Sequence, residues 1–244
     1  MQQRTTAGTS FRANASPARD GRTTVLMTGF GPFPAVPVNA SMMLVPRLAT
    51  AAAHTFPATR FVTDILPTEW SAAPKRVDAL LAEHRPDVIL HFGVSSRARG
   101  FEIETRGRNE CALLLDASGC CPDDVEIRTG GPKLVPSRLP VADIVKRLRG
   151  RAIPAFRSWN AGAYLCNATL YHVLSSPQCR ESLAGFIHIP TLLAPASLSV
   201  VPMRTTRTSP GSPLSWAQAV NGGLEILAAC LDRPSLPTRR TAAR

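Results

Sequence analysis

One cysteine stands where a polar loop gives way to an apolar helical pattern. Cys166 follows Gly162 in the segment AGAYLCNATLYHVL (161–174). The start of a helix has unpaired backbone N–H groups and the positive end of the helix dipole, which together stabilise a thiolate. Such surroundings lower the pKa of a thiol from about 8.5 to roughly 3.5–7.5. The position predicts a nucleophile, although a cysteine between Leu165 and Asn167 also fits a thiol that packs in the core.

Two further side chains could complete a site of this kind. His188 lies in the short apolar segment FIHIP (186–190), where a histidine is out of pattern and close to the end of a predicted strand. From that position it could accept the thiol proton, and a carboxylate would orient its ring. Glu102 and Glu104 are the candidates, because residues two apart share one face of an extended segment. Composition does not choose between them, and a structural histidine or a solvated glutamate fits equally.

The scaffold for these residues follows from the hydrophobic periodicity, which alternates between strands and helices. This alternation predicts one α/β domain, a three-layer α/β/α sandwich around a twisted, largely parallel (mixed) sheet. Residues 94–139 have little periodicity and are expected to form a long irregular excursion. Strands are predicted at 23–33 (breaking at Gly29), 60–67, 87–93, 152–159 and 185–190, and helices at 40–53, 71–85, 139–150, 161–176 and 215–231.

Ligands of such folds bind beyond the carboxyl ends of the strands. The predicted cleft is therefore lined by residues 29–39, 93–109, 160–166 and 188–190. Cys166, His188 and the two glutamates all fall within these four segments, which supports a single site.

The charge distribution argues against a nucleic-acid partner. The formal net charge is +11, but about half of it comes from the two ends, residues 1–23 and 231–244, each with four Arg and one Asp. Phosphate recognition needs cations gathered on a folded face. We expect basic, disordered tails at 1–22 and 232–244 around a domain at 23–231. The first tail also resembles a transit peptide in composition, and the sequence does not decide whether it targets the chain.

Cysteine usage and hydropathy restrict the environment. The six cysteines form no CxxC pair and no zinc spacing, which favours free thiols in a reducing compartment and predicts no metal site. No apolar run reaches the roughly 18–20 residues that span a bilayer. The expected location is the cytoplasm, with no membrane partner.

Several motifs occur in order along most of the domain, from about Val25 to Leu192. Together they resemble the pyroglutamyl peptidase I family of cysteine peptidases, and the match to its Glu-x-x-x-x-Asn pattern selects Glu104 over Glu102. The motifs are TGFGPF (28–33) followed by Asn39-Ala40-Ser41, HFGV (91–94), ETRGRN (104–109), SWNAGAYLCN (158–167) and IHIP (187–190).

The resemblance implies an enzyme that removes an N-terminal pyroglutamyl residue from peptides without a metal or cofactor. It implies Cys166 as nucleophile, His188 as general base and then acid, and Glu104 as the carboxylate partner. Asn39 is a candidate to hold the opening loop or to pair with the lactam amide. The implied substrate-binding residues are Phe30, Phe33, Asn39, Val94, Tyr164 and Leu165. Members of the family include tetramers and monomers, so a homo-oligomer is possible and the sequence does not decide it.

The chain departs from the family pattern at several places. Pro34-Ala35 replaces a Gly-Gly pair that many members have, and proline restricts the backbone where glycine would permit positive φ. Ser96-Arg97-Ala98, Thr105 and Leu113-Leu114-Leu115 also differ from common microbial members. Two alternatives therefore stay open: a cysteine amidase for another cyclic or blocked N-acyl group, and a catalytically degenerate paralogue that only binds.

Overall fold

The computed structural model describes residues 21–33, 36–194, 214–234 and 236. No helix in this part of the chain is long and apolar enough to cross a membrane. The strands are β1 (Thr24–Phe30), β2 (Arg60–Leu66), β3 (Val88–Ser95), β4 (Phe101–Glu104), β5 (Arg106–Arg108), β6 (Leu134–Pro136), β7 (Ala155–Ser158) and β8 (Leu183–Pro190). The helices are α1 (Ala40–Thr55), α2 (Ala72–His84), α3 (Val141–Gly150), α4 (Leu165–Ser175) and α5 (Trp216–Cys230), with a short 3₁₀ turn at Pro177–Cys179.

Six strands form one mixed sheet in the order β2-β1-β3-β8-β4-β7. All neighbours are parallel except β4 and β8, which are antiparallel. Strands β5 and β6 form a separate antiparallel pair. The sheet is flanked by helices α1, α3 and α5 on one face and by α2 and α4 on the other. The predicted three-layer α/β/α architecture is confirmed.

Alternation along β1 explains why both faces of the sheet need a helical layer. Val25 and Met27 pack toward the first face, while Leu26 and Phe30 pack toward the second. Every residue of β1 is buried, as expected for a central parallel strand covered on both sides.

The predicted irregular excursion at 94–139 is wrong in its first third. Residues 101–104 form β4, which pairs with β7 and β8 inside the main sheet. The strand has only four residues, FEIE, so its alternation is too short to stand out from a polar loop. Phe101 and Ile103 enter the core, and the two glutamates point to the opposite face.

Three of the predicted elements begin at least two residues later than expected. Helix α3 begins at Val141 rather than 139, and β7 covers 155–158 rather than 152–159. Helix α4 begins at Leu165 rather than 161, because Gly162 is left-handed (φ +82°) and Tyr164 is extended (φ −111°, ψ −166°). The shift makes Cys166 the second residue of the helix.

The two glycines of α5 lie where the helix packs most closely. A side chain at Gly222 would overlap the ring of Phe101, and one at Gly223 would lie 2.6 Å from Leu48. The two glycines therefore allow α5 to pack directly against β4 and α1, at sites where glycine costs roughly 1 kcal/mol of helix propensity relative to alanine.

Candidate active site

The backbone before α4 leaves the amino end of this helix open. The N–H of Gly162 donates to Asn160 Oδ1 at 3.0 Å, which holds the turn that leads to the helix. Tyr164 occupies the N-cap position, and its side chain makes no capping hydrogen bond. Cys166 is half-buried in the first turn. Its sulfur thus lies beside N–H groups that no capping side chain covers, where negative charge is favoured.

The sulfur also lies close to strand β3. A side-chain carbon at Gly93 would lie 3.1 Å from Cys166 Sγ and 2.6 Å from the ring of Phe186. Gly93 is therefore the residue that allows the helix start and the Phe186 ring to approach the sheet. Its neighbour across the β3–β8 ladder is His188.

His188 and Glu104 form a buried ion pair on the same face of the sheet. His188 Nδ1 and Glu104 Oε1 are 2.8 Å apart, and the two side chains are 6% and 0% exposed. The antiparallel β4–β8 register, which pairs Glu102 with His188, brings Glu104 diagonally under the ring. Since Nδ1 is bound to Glu104, the other ring nitrogen is left for Cys166.

The electrostatics of His188 favour its charged form. Burial lowers the pKa of this imidazole, but the charge and hydrogen bonding of Cys166 and of Glu104 outweigh burial and raise it to about 10. A buried histidine keeps its proton at neutral pH only when negative groups replace the lost water. The arrangement is therefore suited to an imidazolium next to a thiolate.

The second glutamate of the strand lies beside the pair. Ligand-type atoms of Glu102, Glu104 and His188 all lie within 4.8 Å of one another, the one such group found in the described part of the chain. The Glu104–His188 hydrogen bond and the β4–β8 register, which places Glu102 opposite His188, account for this grouping. Burial raises the pKa of Glu102, with His188 opposing this shift.

A cavity of about 600 Å³ opens above these groups. It is lined by Cys166 and His188, while Glu104 lies behind His188, out of the cavity. All six residues predicted to bind substrate line it, namely Phe30, Phe33, Asn39, Val94, Tyr164 and Leu165. Pro34 and Ala35, where the sequence departs from the Gly-Gly pair of many family members, lie outside the described residues.

Asn39 holds the loop after β1. It is the N-cap of α1: its Oδ1 accepts from the N–H of Ser41 at 3.1 Å and from Ser41 Oγ at 2.8 Å. Its Nδ2 donates to the Gly31 carbonyl at 3.2 Å. Both the oxygen and the nitrogen of the Asn39 amide are thus bonded within the loop, as expected of a residue that holds the opening loop in place.

The geometry can be compared with known proteins. A family model described as "Pyroglutamyl peptidase" matches residues 23–214. A pyrrolidone-carboxylate peptidase of Ralstonia nicotianae is 34% identical over 206 residues, covering 83% of this chain and 90% of the relative. A Bacillus cereus pyrrolidone-carboxylate peptidase is 30% identical, with the same two coverages.

This chain belongs to the pyroglutamyl peptidase family. The crystal structure of pyroglutamyl peptidase I from Bacillus amyloliquefaciens has a TM-score of 0.73 at 26% identity, and the match covers 87% of this chain and 98% of that one. A mutant pyrrolidone carboxyl peptidase from Pyrococcus furiosus has a TM-score of 0.73 at 25% identity, with coverages of 86% and 99%. The family is one of cysteine peptidases, so the resemblance identified from the motifs is confirmed.

Other motif residues of this family member have structural contacts. Asn167 follows the cysteine and is fully buried: its Nδ2 donates to the carbonyls of Arg108 and Glu110, both at 2.8 Å. Asn109 bonds to the backbone of Arg128, with its Oδ1 accepting at 2.9 Å and its Nδ2 donating at 2.8 Å. Asn167 thus ties the start of the excursion to α4, whereas Asn109 joins two parts of the excursion to each other, and neither side chain lines the cavity.

Some site residues were missed at the sequence level. Thr68 lines the cavity, and its hydroxyl donates to the Gly31 carbonyl at 3.0 Å. Phe186 lies between Phe30 and His188, with ring centroids 6.0 Å and 4.8 Å away. Neither stands out in the sequence, since a threonine after a strand and a phenylalanine within one are ordinary. The one sequence feature that could have indicated Phe186 is its place in FIHIP, because a residue two positions before the histidine lies on the same face of the strand.

Among the described residues that depart from the family pattern, only Ser96 and Arg97 line the cavity. Both are exposed, whereas Ala98 is buried. Thr105 donates through its hydroxyl to the Ser158 carbonyl at 2.8 Å, beside the proposed nucleophile loop. Residues Leu113–Leu115 are exposed. None of these changes lies between the sulfur, the imidazole and the carboxylate.

Proposed function

We propose that this family member is a cysteine omega-peptidase that hydrolyses the N-terminal pyroglutamyl residue from peptides. Family membership supports the reaction class. The observation that carries the proposal for this chain is the buried Glu104–His188 pair beside the sulfur of Cys166 at the wall of one cavity.

The proposed first step begins with transfer of the Cys166 thiol proton to His188, which gives the thiolate, the nucleophilic form of the residue. The sulfur attacks the pyroglutamyl carbonyl, and backbone N–H groups at the start of α4 stabilise the oxyanion. His188 then gives its proton to the departing amine, which leaves a thioester.

The second step reverses the direction of proton transfer. His188, now neutral, removes a proton from water, and the resulting hydroxide attacks the thioester carbonyl. Collapse of the intermediate releases pyroglutamate and restores the thiolate and the imidazolium. Glu104 contacts the imidazole and not the substrate, so we regard it as a positioning residue.

The cavity walls suit an uncharged, flat ring. A pyroglutamyl end has no ammonium group, so its recognition needs apolar walls and few polar contacts rather than an anchoring carboxylate. The rings of Phe33 and Tyr164 meet at a tilt, with centroids 6.1 Å apart, and Leu165 is buried in the same wall. We assign the lactam to this end of the cavity, against Phe30.

A fluorogenic pyroglutamyl amide tests the proposal. The wild type should release the fluorophore, iodoacetamide should stop release, and Cys166→Ser should lower kcat about a hundredfold or more. Cys120→Ser is the matched control, because Cys120 is exposed on the excursion outside the cavity lining. Its activity should equal that of the wild type.

The outcomes separate the alternatives. Absence of release together with selective alkylation of Cys166 would favour a cysteine amidase for another blocked N-acyl group. Absence of release with an inert Cys166 would favour a degenerate binding paralogue. Release that Cys166→Ser leaves intact would contradict the proposed nucleophile.

We also infer a cytoplasmic location, on the basis of the family resemblance and of cysteines that form no disulfide among the described residues. Fractionation of the native host would test this. Light scattering of the full chain would determine whether it is a homo-oligomer.

A further inference from the structure

Glu102 faces the cavity beside the proposed catalytic groups, although the proposed mechanism gives it no task. It lines the cavity and is half-buried. It is the direct register partner of His188 in the antiparallel β4–β8 pair, and side chains directly opposite in such a pair lie on one face about 5 Å apart. Glu102 therefore lies at the same distance from the cavity as His188, whereas Glu104 lies two residues further along β4, away from the cavity.

The carboxylate of Glu102 is available to a ligand. No hydrogen bond or ion pair to it is found across residues 21–33, 36–194 and 214–234, although ligand-type atoms of Glu102, His188 and Glu104 lie within 4.8 Å of one another. Its interactions with His188, Glu104, Arg97 and Arg99 are Coulombic. Glu104, by contrast, is fully buried and bonded to the imidazole. The two glutamates of β4 thus differ in accessibility and in partner.

Strand order indicates which part of a substrate would meet Glu102. The sheet runs β1, β3, β8, β4, so Phe30, Gly93, His188 and Glu102 follow one another across its edge at roughly 4.8 Å per strand. The lactam is assigned to the Phe30 end, and the sulfur lies over Gly93. The amine that takes the His188 proton must leave on the other side of the sulfur, toward β4.

We propose that Glu102 forms a cation-recognising subsite for the second residue of the substrate, so that the enzyme favours pyroglutamyl peptides with Lys or Arg at that position. The proposal rests on the proposed function, because it assumes that the chain cleaves after a pyroglutamyl residue. It adds a substrate preference that the triad and the lactam pocket do not supply.

Nearby cations set the size of the expected preference. Arg97 also lines the cavity and would repel a cationic side chain. Both Arg97 and Arg99 are exposed, so solvent and salt screen their charges more than that of the half-buried Glu102. The nearer charge of His188 is paired with Glu104. Glu102 should therefore dominate, and removing the Arg97 charge should strengthen the preference rather than abolish it.

The test compares peptides that differ only in a charge. Rates of pyroglutamate release from pyroglutamyl-lysine amide and pyroglutamyl-norleucine amide give a kcat/KM ratio in which the aliphatic stem largely cancels. The wild type should favour lysine by about fivefold at low salt, as for a partly screened ion pair. Glu102→Gln should bring the ratio close to one, and Arg97→Gln should increase it.

Glu83→Gln is the matched control. Glu83 is 64% exposed near the carboxyl end of α2, and the same neutralisation there should leave the ratio at its wild-type value. Added salt should reduce the wild-type ratio but not that of Glu102→Gln.

Three results would overturn the proposal. They are a wild-type ratio near one with both peptides cleaved, a ratio that Glu102→Gln leaves unchanged, and equal effects of Glu102→Gln and Glu83→Gln. Each of these leaves the peptidase activity itself intact. If the wild type cleaves neither peptide, the proposed function and this subsite fail together.

Discussion

Two buried histidines on neighbouring strands of the sheet have opposite electrostatic states. His91 on β3 and His188 on β8 both lie on the face covered by α4, and both are buried. Burial, with a smaller contribution from His172, lowers the pKa of His91 to about 3. The pKa of His188 is instead raised to about 10, because Cys166 and Glu104 outweigh burial.

The difference lies in the partners rather than in burial. His91 Nδ1 pairs with the hydroxyl of Thr28 at 2.6 Å, and its Nε2 has no hydrogen-bond partner among the described residues. A hydroxyl does not compensate a buried positive charge, whereas a carboxylate does. The two strands therefore hold one neutral ring that packs and one charged ring suited to proton transfer.

Replacing His188 should have the largest effect on turnover. His188→Gln can still hydrogen bond to Glu104 but cannot carry a proton, so kcat should fall about a hundredfold or more. Steady-state cleavage of a fluorogenic pyroglutamyl amide measures this, and circular dichroism checks that the fold is retained. The rate of alkylation of Cys166 should fall as well. A folded variant with near wild-type kcat would remove His188 from the mechanism.

Replacing the carboxylate partner should make His188 more like His91. Glu104→Gln keeps the shape but removes the charge, so the pKa of His188 should fall and kcat should drop about tenfold, in line with the loss of one charge-assisted hydrogen bond. In the pH profile, the alkaline limb should move to lower pH, since the imidazolium loses its proton earlier. Glu104→Asp should partly restore the profile. An unshifted alkaline limb in Glu104→Gln would contradict the positioning role.

Gly93 lies two residues beyond His91 on β3 and directly opposite His188, so it links the two regions. In Gly93→Ala the new methyl group would meet the Phe186 ring at 2.6 Å and Cys166 Sγ at 3.1 Å. Overpacking of this kind costs roughly 1–3 kcal/mol of unfolding free energy, and displacement of the sulfur should lower kcat. Urea unfolding and the amide assay measure the two effects. Unchanged values of both would show that the ring and the sulfur move aside freely.

Replacing His91 should affect turnover least and acid stability most. Because the pKa of His91 is lowered in the native state, the unfolded chain binds a proton at a pH where the folded chain does not. His91 therefore reduces the free energy of unfolding as pH falls from about 6.5 toward 3, by up to about 1.4 kcal/mol per pH unit. In His91→Gln this contribution is absent, and the stability difference from wild type should narrow as pH falls. Urea midpoints between pH 7 and 4 test the sign. A gap that widens in acid would mean that His91 is charged in the native state.

The two histidines also show how far the sequence could lead. Both occur in short apolar strands before a glycine or proline, and the motif matches single out both HFGV and IHIP. The out-of-pattern histidine in FIHIP made His188 a candidate to accept the thiol proton, and the resemblance to a family assigned it that role and chose Glu104 over Glu102. The strand that carries both glutamates was read as irregular because four residues of alternating pattern give too little signal.

Some local structure was predictable because it depends on neighbours in the chain. The alternation of buried strands with amphipathic helices predicted the layers, and the Gly162 turn before an apolar run predicted a cysteine near a helix start. The boundary at Leu165 was less accessible, since the left-handed Gly162 and extended Tyr164 delay the helix by one turn. Asn39 could be recognised as part of the opening motif, but its hydrogen bonds to Gly31 and Ser41 required the folded loop.

The sequence by itself determined the α/β class, the cleft-forming segments and the residue types available for a thiol, an imidazole and a carboxylate, because periodicity and side-chain chemistry are local properties. Tertiary structure decided which histidine keeps its charge and which glutamate supports it. Those outcomes depend on the antiparallel pairing of β4 with β8 and on desolvation by α4. Both arise from contacts between segments that are far apart in the chain. These contacts set the balance between burial and a neighbouring negative charge, which decides whether a histidine is charged.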